Sequence, residues 1–95
     1  MKNEEIFPLL HQLGSVTFFS RDLGFYNYRY CHESYCLVCL DVGQYEAASF
    51  IKRFLKYPAF NTKAKRLGKV VCVGHREIRI WQLNIHKEDK LTWQS

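Results

Sequence analysis

Over residues 15–42 the chain runs SVTFFS, FYNYRYC and YCLVCLDV, three segments rich in β-branched and aromatic residues with only RDLG and HES between them. Side chains of this kind fit the pleated surface of a sheet. Parallel neighbours need a crossover of a dozen or more residues, so connectors this short predict antiparallel strands in a meander. A sheet is therefore the expected body of the fold.

The flanking segments change period. In NEEIFPLLHQL, over residues 3–13, Ile6, Leu9, Leu10 and Leu13 recur at three-to-four spacing, Asn3 suits an N-cap and Gly14 a stop. Residues 44–57 repeat the pattern with Ala47, Ala48, Ile51, Phe54 and Leu55 on one face, and with Glu46, Ser49, Arg53 and Lys56 on the other; Pro58 ends them. NTKAKRLGK reads either as one further helical turn, capped by Asn61 and ended by Gly68, or as a loop. KVVCV and REIRIWQLNI then read as a closing pair of strands around Gly74, and residues 86–95 as a polar tail that frays. The expected architecture is α+β: a single domain over residues 1–95, in the order α-β-β-β-α-β-β, its antiparallel sheet carrying helices on one face.

Size and composition agree with one small core. A chain of 95 residues buries about 60–65% of its unfolded surface, and with 47% hydrophobic and 16% aromatic residues it is too apolar for intrinsic disorder. The opening MKNEEIFPLL places two acids where an export signal has its positive region, and no run approaches the length of a membrane span. A soluble, cytoplasmic protein outside the membrane is expected, with its four cysteines reduced.

The net charge of +5 is distributed unevenly. Residues 1–46 hold three basic residues against six acids, whereas over residues 52–79 nine basic residues face Glu77 alone. These nine are Lys52, Arg53, Lys56, Lys63, Lys65, Arg66, Lys69, Arg76 and Arg79. A concentrated cationic field attracts polyanions by releasing their counterions, although a lysine-rich face also serves solubility alone.

Three of the four cysteines lie in CHESYCLVC, residues 31–39. Cys36-x-x-Cys39 and Cys72-x-x-His75 stand 32 residues apart, a spacing that tetrahedral zinc accepts. A ligand pair of this kind needs a tight turn between its members, and Leu37 and Val38 instead continue a strand, where residues three apart face opposite ways. A four-residue hairpin loop over residues 32–35 would set Cys31 opposite Cys36, within reach of a disulfide; a three-residue loop would set it against Tyr35. No metal and no cofactor are expected.

In the first of these registers Tyr26, Tyr28 and Tyr30 share one face with Leu37 and Cys39, a flat aromatic stripe of the kind on which nucleobases stack. The same tyrosines suit packing beneath a helix with their hydroxyls reaching water. No phosphate loop, metalloprotease helix or nucleophile elbow is present, and the acids are scattered. The sequence thus predicts a non-catalytic module that binds DNA or RNA through its basic face. The alternative is a regulatory module that docks an acidic or hydrophobic protein surface, or associates with itself through a sheet edge.

Overall fold

In the computed structural model, which describes residues 12–93, five strands form one mixed sheet. The strands are β1 (Val16–Ser20), β2 (Tyr35–Leu40), β3 (Lys69–Val73), β4 (Glu77–Gln82) and β5 (Ile85–Thr92); the helices are α1 (Ala47–Lys56) and α2 (Lys63–Arg66). In space the strands lie in sequence order, β1, β2 and β3 parallel and β3, β4 and β5 antiparallel. A radius of gyration of 12.4 Å matches the roughly 12 Å of one compact domain this long.

Parallel pairing follows from burial on both faces. Every residue of β2 is buried, as are four of five in β3, which is how a strand covered above and below reads. On the first face Phe19, Cys36, Val38, Leu40, Val71, Val73, Ile78 and Ile80 lie with Phe50 and Phe54 of α1 and with Phe60. Phe54 stacks on Phe60 at 4.6 Å between centroids and meets Phe19 edge-on at 5.9 Å. On the second face Phe18, Leu37, Cys39, Val70 and Trp81 lie with Phe25, Tyr26, Tyr30 and Cys31.

The antiparallel meander is therefore corrected at FYNYRYC, which is a crossover and not a strand. Two single turns of 3₁₀ helix, Leu23–Phe25 and Tyr28–Tyr30, carry it across the second face. The Asp22 carboxylate accepts from the Gly24 N–H (2.9 Å), and the Asn27 side chain accepts from the Arg29 N–H (3.1 Å). These local bonds offer the backbone an alternative to the sheet ladder. The second crossover, through α1 and α2, runs over the first face. Two successive crossovers that advance in one direction on opposite faces have opposite hands, so one is of the uncommon left-handed kind.

Two further expectations change. Thr62, not Asn61, caps α2, its hydroxyl accepting from the Lys65 N–H at 3.3 Å; Gly68 follows in the left-handed region at φ +84°. The polar tail is the longest strand of the sheet, β5, entered through Leu83 and Asn84, with Asn84 at φ +67°. The order over the described residues is thus β-β-α-α-β-β-β. The helix predicted over residues 3–13 lies, apart from Gln12 and Leu13, outside them. No described helix is long and apolar enough to cross a membrane.

Candidate functional site

The amphipathic pattern of α1 determines where its charges stand. Phe50 and Phe54 are buried against the sheet, so Lys52, Arg53 and Lys56 are left exposed. Arg53 lies over two rings, 4.4 Å from the Trp93 centroid and 5.1 Å from that of Phe50, which keeps its guanidinium close to the protein surface. Lys63 and Lys65 are exposed on α2. The Lys65 ammonium donates to the Pro58 carbonyl (2.8 Å) and to Asn61 Oδ1 (3.2 Å), drawing α2 against the chain that leaves α1.

The other cations of this stretch are engaged differently. Arg66 Nε donates to Thr17 Oγ1 (3.0 Å) and Nη1 to the Phe60 carbonyl (2.8 Å), tying α2 to β1 and to the core aromatic. Lys69 is half-buried; its ammonium donates to the Lys65 carbonyl and lies 5.5 Å from the Phe60 ring centroid, and burial lowers its pKa. Arg76 is exposed in the β3–β4 turn. Arg79 is on the second face, where Nη2 donates to Cys72 Sγ (3.5 Å) and the guanidinium sits 5.2 Å over Tyr26. The basic stretch thus resolves into an exposed group on α1 and α2, two tying residues, one turn residue and one residue on the opposite face.

The aromatic stripe does not form. Tyr26 donates its hydroxyl to Glu88 Oε2 at 2.5 Å, and burial, followed by this bond, raises its pKa. Tyr28 packs edge-on to Trp81 (5.6 Å) and against His86 (5.3 Å). The Tyr30 hydroxyl accepts from Arg29 Nη2 (2.8 Å). Residues of a crossover cannot alternate as a strand does, and these rings cover the second face instead of offering a platform.

The cysteine cluster is dispersed in the same way. Cys36 belongs to the first-face core and Cys39 to the second, both fully buried, so no single ion reaches both. Without the hairpin, Cys31 joins the second-face cluster and does not face Cys36 across a strand pair. Cys72 neighbours Cys39 across the β2–β3 register, while His75 is exposed, its Nε2 2.9 Å from Glu46 Oε2. Among the described residues no group of three or more His, Cys, Asp or Glu side chains could hold a metal ion. Burial pushes the Cys36 and Cys39 thiols up to about 12 and raises Cys31 and Cys72 as well, the reverse of what a nucleophilic or ligating thiol needs.

One feature was invisible in the sequence. Beside Phe60 a cavity of about 240 Å³ opens on the first face, where Ile80 and Leu91 lie beside Lys69, Lys87 and Asp89. It is below the roughly 300 Å³ at which small-molecule pockets begin. Residues read as a frayed tail gave no reason to look for it. No family model, curated protein or solved structure matches this chain.

Proposed function

We propose that this domain binds nucleic acid through the exposed surface of α1 and α2, with little sequence preference. The observation that carries this reading is that residues 47–76 contain no acid, while Lys52, Arg53, Lys56, Lys63 and Lys65 stand exposed within that stretch. Such a surface recruits phosphates by displacing their condensed counterions, which is insensitive to base identity. Arg66 and Lys69 hold α2 in place, and Arg76 extends the contact from its turn. Arg79, Tyr26, Tyr28 and Tyr30 are left out, because they are committed to packing on the second face.

Fluorescence titration with single- and double-stranded DNA and RNA across a salt series tests this. Five phosphate contacts on duplex DNA give a log–log salt slope of roughly −4 to −5. Replacing Lys52, Lys56 and Lys63 together by Glu should flatten that slope by about three without changing the circular dichroism melt, since each is exposed. Absence of binding at low salt defeats the proposal. Retention of an acidic protein in a pull-down at the same salt, with no oligonucleotide binding, would assign these lysines to a protein partner instead.

A further inference from the structure

Among the described residues β5 pairs only with β4, so one side of an eight-residue strand has no strand partner. A free edge is a template for another strand. The side chains of β5 alternate cleanly. Ile85, Lys87, Asp89 and Leu91 border the cavity on the first face, while His86 meets Tyr28 and Glu88 meets Tyr26 on the second. Opposite β4 the strand is irregular, since Gln82 and Ile80 pair with Ile85 and Asp89. That excess of two residues is even, so it leaves the alternation intact.

We propose that two copies of this chain associate by antiparallel pairing of β5 with β5, the two-fold axis passing through Glu88. Keeping the two first faces on the same side requires the axis to pass through a residue. With the axis at Glu88, Ile85 lies opposite Leu91 of the second copy and Lys87 opposite its Asp89, and symmetry repeats both pairs. Moving the axis to Lys87 or Asp89 sets that first-face charge against itself, and moving it to His86 or Lys90 sets Ile85 against Lys87 or Leu91 against Asp89. With the axis at Glu88 the self-facing carboxylates are on the second face, away from these four residues. Glu88 is thus the register that gives all four first-face residues complementary partners. It also covers Ile85, which is 47% exposed in the single chain. The two Glu88 carboxylates meet at the axis, each held toward Tyr26 of its own copy.

Sedimentation velocity on the full chain, from micromolar to millimolar concentration, tests the pairing. The wild-type chain should dimerise. Lys87→Asp or Asp89→Lys alone sets like charges opposite each other at both symmetric positions and should weaken the dimer by about tenfold or more. The double swap Lys87→Asp with Asp89→Lys regenerates both ion pairs and should restore it. Both positions are exposed, and matching circular dichroism melts establish that each of the three variants folds. A wild-type monomer throughout the range overturns the proposal and leaves the irregularity in β5 as a guard on the edge. A dimer indifferent to either single change, or one that the double swap does not restore, overturns it equally.

Discussion

At the scale of single residues, Cys36 and Cys39 show how little sequence proximity means inside a strand. Two positions separate them, yet they sit in different halves of the core, and burial pushes both thiols from 9.0 up to about 12. Unfolding would release each to its ordinary value. Above pH 9 the unfolded chain therefore loses these protons while the folded chain keeps them. Stability from this source is fully present below that pH and falls as pH rises toward 12, by about 1.4 kcal/mol per pH unit for each thiol. Tyr26 and Tyr35, also raised, add to the fall at higher pH. Urea unfolding at pH 7, 9 and 10.5 measures it, and a midpoint unchanged between the last two would contradict the buried thiols. The strand alternation that separates the two sulfurs was legible in LVC alone. The roles of Arg66 and Lys63 were not, because a tie to Thr17 and Phe60 and an exposed charge look alike until the chain is folded.

At the scale of elements, β1, β2, α1, β3 and β4 follow from their side-chain patterns, and the errors concern what joins them. YCLVCL and KVVCV carry no polar alternation, which is the mark of strands covered on both faces and hence of parallel pairing. Counting FYNYRYC as a strand removed the connector that such pairing needs, although Asp22 and Asn27, each two residues before the N–H it caps, signal local turns. β5 failed for the opposite reason: an edge strand with six of its eight residues exposed, on both faces, has no hydrophobic periodicity to read. Gly68 joins these elements, its N–H donating to the Tyr35 carbonyl (3.0 Å) and its carbonyl accepting from the Leu83 N–H (2.9 Å). A Cβ there would meet Leu83 Cβ at an ordinary 3.8 Å, so space is not the constraint; the φ of +84° is. Gly68→Ala should cost about 1–2 kcal/mol of unfolding free energy in a urea titration, from backbone strain alone. A loss below a few tenths would mean that the β2–β3 entry relaxes freely.

At the scale of the whole molecule, the exposed lysines of the acid-free stretch are on α1 and α2, while the edge proposed to pair is β5, which among the described residues has β4 as its one strand neighbour; these are separate parts of one domain. Polyanion binding and self-association can therefore be measured independently. Because a ligand that binds only the folded state stabilises it by mass action, an oligonucleotide at a hundred times its Kd should add about 2.7 kcal/mol. For a domain of this size that is a rise in Tm of roughly 10–20 °C. Electrostatic origin adds a second requirement, that the rise disappear at high salt, where counterion release no longer drives binding. It adds a third, that replacing Lys52, Lys56 and Lys63 by Glu abolish the rise while the melt without ligand is unchanged. Lys87→Asp, outside the acid-free stretch, should leave the rise in place. Heparin of equal charge should reproduce most of it, because among the described residues Tyr26, Tyr28 and Tyr30 pack on the second face and form no platform for bases; a rise specific to one oligonucleotide sequence would contradict the proposed phosphate-only recognition.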